Sequence, residues 1–307
     1  MQASRDPPQS GLIRRWVEAL AFVGVWMAAG LLLDMSVYTY LVFGIPLTAG
    51  FQLFVRKRPI KDLWVRGGPG LSLRRVSLKV AILAILLAIY PLYQLVQLVV
   101  SGVSGQGLDT ILFVLAAIVG AGAAAYALGQ FRRETWRYLG LCLATAGLIG
   151  VLLVIGPLML AARYDASTAT ALPTSGSLGP VALLWFEQLL LLVPVVFMME
   201  EVAFRGAIDS HVRHPGESQG VESSTVYGIA SAIVVSVLWG LWHLPIVPLP
   251  PQLPHPSVFE HIVFVGYLEW AVGPFLSLFW RKSGNLMVSG FSHATMDSVR
   301  NALGGTP

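Results

Sequence analysis

The chain is short of charge and almost without cysteine. Only 12% of its 307 residues are Asp, Glu, Lys or Arg, whereas a soluble domain carries roughly 25%. That shortfall excludes an ordinary water-soluble domain. The one cysteine, Cys142, sits inside an apolar run, so neither an internal disulfide nor a cysteine-built metal cluster can form. A net charge of +4 does not point to nucleic acid. No internal repeat and no soluble segment of domain size interrupts the sequence.

Apolar sequence is abundant: 55% of residues are hydrophobic, and the mean hydropathy is +0.71. Several runs reach the roughly 20 residues that a helix needs to cross a bilayer. The expected fold is an all-α polytopic membrane protein, a bundle of eight or nine transmembrane helices. The expected spans run over 16–33, 36–55, 76–100, 108–130 and 139–162, then from 181, then 225–244, 257–280 and 284–302. The first pair can instead pack as one re-entrant element, which gives eight. Arg14 and Arg15 precede the first apolar run, which continues without a cleavage site, so an uncleaved anchor is expected. Two parts follow: residues 1–180, about five spans with a basic loop at 56–75, and a catalytic core at 181–307.

Basic residues set the topology. They cluster at the N-terminus, in the 56–75 loop, at Arg132, Arg133 and Arg137, and at Arg281 and Lys282. The loops at 101–107 and 246–256 have none except His255. The alternation puts the N-terminus in the cytoplasm.

Ionisable residues inside spans are costly and mark either function or a paired structural role. Three groups stand out. LLVPVVFMMEEVAFRGAI, from Leu191 to Ile208, places Glu200 and Glu201 side by side. Glu201 and Arg205 share a helix face and can pair, while Glu200 points about 100° away on an α-helix. WGLWHLP puts His243 one turn after Trp239, and Pro245 stops the helix. SGFSHATMDS sets His293 four residues before Asp297.

Each group has an ordinary structural reading: a helix-to-helix hydrogen bond, an ion pair, or an oriented imidazole. Together they place an acid and two histidines on different helices. That set suits water activation with support for an oxyanion. It equally suits a divalent cation such as zinc, held by Glu200, His243 and His293 with one open position. Depths counted from the helix ends are about 21 Å for Glu200, 28 Å for His243 and 15 Å for His293 at 1.5 Å per residue, a loose match within the bilayer. Glu269, mid-span in GYLEWAVGP, can line the same cavity or bond a neighbouring helix. Glu187 is read as interfacial, Asp34 as a hairpin residue, and Lys79 as snorkelling to its loop.

Glu-Glu-x-x-x-Arg, aromatic-x-x-x-His and His-x-x-x-Asn/Asp, in that order, resemble the CPBP family of CAAX prenyl-protease and bacteriocin-processing (Abi) intramembrane proteases. Here they read Glu200-Glu201-Val-Ala-Phe-Arg205, Trp239-Gly-Leu-Trp-His243 and His293-Ala-Thr-Met-Asp297. The resemblance covers about residues 181–303. It implies an endopeptidase, metallo- or glutamate-type, that cuts membrane-anchored proteins or peptides. Glu200 becomes the base that activates water, Glu201 supports it and pairs with Arg205, and His243 and His293 position the water or stabilise the oxyanion. The last position is often Asn in prenyl proteases and is Asp297 here; an ionised Asp cannot donate to an oxyanion. The resemblance also makes a bacterial cytoplasmic membrane the expected location. Two further readings stand beside it: a non-catalytic immunity or scaffold protein of the same fold, and an ion-coupled transporter, which the lack of repeats disfavours.

Overall fold

A computed structural model of the chain describes residues 9–66, 77–100, 107–150, 152, 178–213, 225–247 and 258–304. Long apolar runs bounded by charge or by Gly and Pro become helices. They are α1 (Gln9–Leu32), α2 (Val37–Gly50), α3 (Leu78–Val100), α4 (Leu108–Gly129), α5 (Arg133–Cys142), α6 (Leu178–Val196), α7 (Thr225–Trp242), α8 (Val258–Ser283) and α9 (Met287–Gly304). Among the described residues there is no β-strand, only an isolated bridge between Val65 and Asn285. The protein is an all-α polytopic membrane protein.

Among the described residues, six segments are long and apolar enough to cross a membrane: Gly11–Leu32, Val37–Val55, Leu78–Val100, Leu108–Gly129, Gly179–Val212 and His261–Ser283. Val226–Trp242 is a shorter apolar helix. The expected ninth span is the helix α9, but its composition is mixed because it carries Ser289, Ser292, His293, Asp297 and Ser298, all buried. Most of the expected fifth span beyond residue 150, and the loops at 163–177 and 248–256, lie outside the described residues.

Two features build the wall that carries the acids. Pro194 lies inside α6 and offers no backbone N–H to the helix ladder. Three residues later the helix widens into a π-helical stretch, Phe197–Asp209, a form frequent at functional sites. The second feature is a run of small residues on α4. Ala116, Ala117, Gly120, Ala121, Ala123 and Ala124 are all buried, which lets backbones approach closely, as membrane helices do. A β-carbon on Gly120 would stand 2.5 Å from the Pro194 carbonyl oxygen.

Aromatic residues from the first two helices then brace the end of α7. Trp26 and Trp242 are fully buried and meet edge to face at 5.0 Å. The Trp26 indole donates to the Tyr40 carbonyl (3.0 Å), and the Tyr40 hydroxyl donates to the Trp242 carbonyl (2.9 Å). At the basic end, Arg281 does not simply sit in a loop. It closes the last turn of α8, turns inward onto buried Asp209 (Nε to Oδ2, 3.0 Å), and donates to the Gly228 carbonyl (2.6 Å). The outward faces of α3 and α4 carry exposed apolar side chains such as Ile85, Val99 and Val119, as a lipid-facing surface requires.

Gly120→Ala is expected to cost about 1–3 kcal/mol of stability by overpacking, seen as a lower thermal midpoint of the detergent-solubilised protein. Gly122→Ala, with open space around it, should leave the midpoint unchanged; equal midpoints for the two variants would contradict the close α4–α6 contact.

Candidate active site

The π-helical stretch buries every residue from Glu201 to Asp209. Glu201 is fully buried, and its Oε1 is shared by two cationic partners. Arg205 Nη1 lies at 3.1 Å, and His293 Nδ1, from α9, also at 3.1 Å. The equally buried Arg205 guanidinium lies flat over the Trp239 ring, 3.9 Å from its centroid. A cation on an indole face gains about 2 kcal/mol or more when desolvated. Gly273 on α8 leaves the space: a β-carbon there would come within 3.2 Å of Arg205 Nη2.

Trp239 has a second function through its edge. Its Nε1–H donates to Glu200 Oε2 at 3.0 Å. Glu200, which has no partner in its own segment, is therefore held from α7. His243, four residues after Trp239 and just past the end of α7, has Nδ1 at 2.9 Å from the Trp239 carbonyl oxygen. A carbonyl only accepts, so Nδ1 carries the hydrogen, and Nε2 of the neutral ring keeps its lone pair. That Nε2 lies 3.7 Å from Glu200 Oε2 and 4.0 Å from Glu269 Oε1.

His293 is held from both sides. Its Nδ1 faces Glu201, and its Nε2 faces Asp297 Oδ2 at 3.2 Å. Ionised carboxylates only accept, so donation to both takes a ring protonated at both nitrogens. Asp297 Oδ1 in turn meets Arg300 Nη1 at 3.2 Å.

All six residues singled out in the sequence, Glu200, Glu201, Arg205, His243, His293 and Asp297, thus meet where the Phe197–Asp209 stretch, the C-terminal end of α7 and α9 come together. Residues 181–299 match the family model described as Rce1-like, type II CAAX prenyl endopeptidase.

The C-terminal part of the chain is similar to that family.

The match agrees with the CPBP resemblance carried by the three motifs, and the Rce1-like segment contains all six residues. No curated protein and no solved structure matches the chain.

The site does not fit a cation shared by Glu200, His243 and His293. Both His293 nitrogens face carboxylates, which leaves the ring no lone pair for a metal. Among the described residues, no three His, Cys, Asp or Glu side chains converge to hold one.

Three residues at the site have contacts that their sequence positions did not indicate. Glu269 is buried beside His243. Trp239, visible only as the aromatic of its motif, joins Arg205 and Glu200 through two different parts of one ring. Arg300 lies outside the three motifs, and its spacing of three from Asp297 on one helix is the sequence signal for their pairing.

Removing one member of a buried ion pair leaves a charge without compensation and costs about 3–5 kcal/mol. Arg205→Ala should therefore lower both membrane abundance and thermal midpoint. Wild-type values for both would contradict the pairing with Glu201.

Proposed function

We propose that the chain is an intramembrane endopeptidase of the CAAX type, with Glu200 as the base that activates water. The observation that carries this reading is the different treatment of two adjacent carboxylates. Glu201 is buried and bound by Arg205 and His293. Glu200 is only partly buried and receives one indole N–H, which leaves it free to take a proton.

Glu200 Oε2 and His243 Nε2, 3.7 Å apart, are too distant to bond each other. A water held about 2.8 Å from each satisfies both. It donates one hydrogen to the His243 lone pair and the other to Glu200. As the water oxygen attacks the peptide carbonyl carbon, Glu200 takes the proton. When the tetrahedral adduct collapses, the C–N bond breaks and Glu200 returns the proton to the leaving amine. His293, with both N–H groups committed, holds Glu201 and Asp297 in place rather than reaching the substrate.

The substrate is a membrane-anchored protein or peptide whose scissile bond reaches the bilayer interior. The alternation of basic clusters supports an N-terminus on the cytoplasmic side. The Rce1-like match supports a prenylated CAAX peptide as the first probe.

General-base assistance contributes typically about 10²–10⁴-fold. In proteoliposomes containing a farnesylated CAAX peptide, Glu200→Gln should lower kcat by that factor at normal protein abundance. Full turnover in Glu200→Gln would end the assignment. Trp239→Phe keeps an aromatic face for Arg205 and deletes one hydrogen bond to a charged group, a loss of about 1.5–3 kcal/mol. Its kcat should fall about tenfold to a hundredfold in the same assay, whereas an unchanged kcat would show that the indole N–H does not position Glu200.

A further inference from the structure

A buried carboxyl at the site, Glu269, has no part in the steps above. It lies in the spanning segment His261–Ser283. Gly266, Glu269 and Gly273 fall at i, i+3 and i+7, on one face of α8. The two glycines press that face against α7. A β-carbon on Gly240 of α7 would stand 2.9 Å from the Gly266 α-carbon, and one on Gly273 would clash with Ser236 of α7. Between these contacts Glu269 Oε1 comes to 4.0 Å from His243 Nε2. The same nitrogen lies 3.7 Å from Glu200 Oε2. Two carboxyls thus flank the lone pair that holds the attacking water.

Their surroundings differ. Glu200 accepts the Trp239 indole N–H. Glu269 Oε2 is buried with no hydrogen-bond partner, and among the described residues the only ion-pair contact of Glu269 is His243, whose ring is neutral. The charges that meet at the site already balance without it. Glu200, Glu201 and Asp297 are negative, and Arg205, His293 and Arg300 are positive. An ionised Glu269 would add a buried negative charge that nothing offsets, which costs far more than a buried carboxylic acid. The adduct, for its part, needs a hydrogen-bond donor for its oxyanion. His243 presents a lone pair, His293 has both N–H groups on carboxylates, and Asp297 only accepts. At 4.0 Å, Glu269 Oε1 and His243 Nε2 are too far apart to bond directly, which leaves room for a substrate atom between them. The attacking oxygen is held on His243 Nε2, and the oxyanion shares a carbon atom with it. The oxyanion therefore forms beside the carboxyl that borders the same nitrogen.

We propose that Glu269 stands at the site as a neutral carboxylic acid whose Oε1–H donates to the oxyanion of the tetrahedral adduct. The inference rests on the peptidase reading above and assigns a catalytic role to a residue outside the three motifs. Enzymes do hold buried carboxylic acids neutral so that they donate to an oxyanion. The two flanking carboxyls then have opposite tasks: Glu200, ionised, takes the proton of the water, and Glu269, protonated, binds the charge that results. No bond is made or broken at Glu269, whose O–H stays intact as the negative oxygen forms and as the C–N bond breaks.

The test uses the full chain in proteoliposomes with the farnesylated CAAX peptide, reading kcat and KM separately. Removal of one oxyanion donor costs about 10²–10³ in kcat, so E269A should lose that much with little change in KM. E269Q exchanges the O–H for an amide N–H and carries no charge, so its kcat should exceed that of E269A by about tenfold or more. Equal kcat in the two variants, a wild-type kcat in E269A, or a loss confined to KM would overturn the proposal. Infrared difference spectra of wild type against E269Q read the proton without turnover, and they decide the matter should E269A not fold. The expected result is a carboxylic-acid carbonyl band that moves in D₂O and is missing from E269Q; a carboxylate band in its place would overturn the proposal. Wild-type turnover that is lost in Glu200→Gln secures the peptidase reading in the same assay, so a failure of the E269A and E269Q comparison then counts against Glu269 alone. No wild-type turnover would overturn the peptidase reading and this inference with it.

Discussion

A carboxylate removed from water remains ionised only where cations and hydrogen-bond donors meet it. Glu201 is that carboxylate, fully buried in a membrane helix, and the rest of the site follows from how it is matched. Arg205 and His293 share one of its oxygens. Arg205 then needs a flat surface, which Trp239 provides. His293 needs a second acceptor on its far nitrogen, which Asp297 provides. Asp297 has an oxygen left over, and Arg300 takes it. Matching Glu201 thus draws the Phe197–Asp209 stretch, α7 and α9 together and fixes Arg205, His293, Asp297 and Arg300 before any substrate arrives. Glu200 gains its place from this arrangement: the Trp239 ring lies against Arg205 and holds Glu200 by its edge.

The backbone makes that arrangement reachable. Pro194 interrupts the donor ladder of α6 and Gly120 lets α4 close against the Pro194 carbonyl. The widened Phe197–Asp209 helix follows. Its far end is secured by the buried Asp209–Arg281 pair and by Trp280 donating to Ser210. From the other side, Trp26 and Tyr40 fix the carbonyl of Trp242, next to His243. The N-terminal helices therefore bear directly on the geometry of the Rce1-like segment.

The helices were legible because apolar runs end in charge, Gly or Pro: expected spans at 76–100 and 108–130 appear as Leu78–Val100 and Leu108–Gly129. The pairing of Glu201 with Arg205 was legible from their spacing. The widened helix was not, because the same residues fit an ordinary α-helix and only Pro194 together with its neighbours decides otherwise. The angle of about 100° between Glu200 and Glu201 assumed that ordinary helix. Depths counted along straight helices match only loosely for Glu200 and His243, differing by about 7 Å, whereas in the structure the two approach to 3.7 Å. Arg281 was read as a topology-setting charge at the end of a span, but its partner Asp209 lies 72 residues away in sequence. The stacking of Trp239 on Arg205 is likewise invisible in one dimension, since any buried aromatic fits the motif.

The central claim is that two adjacent glutamates divide the work, Glu201 holding the bundle together and Glu200 serving the reaction. Mass spectrometry of membrane-protein termini, with quantification of the protein itself, tests it without choosing a substrate. Cells expressing wild type, Glu200→Gln and Glu201→Gln are compared. The account predicts that termini generated by wild type vanish in Glu200→Gln at undiminished protein level, while Glu201→Gln loses the protein. Wild-type termini in Glu200→Gln, or an abundant and active Glu201→Gln, would contradict the division.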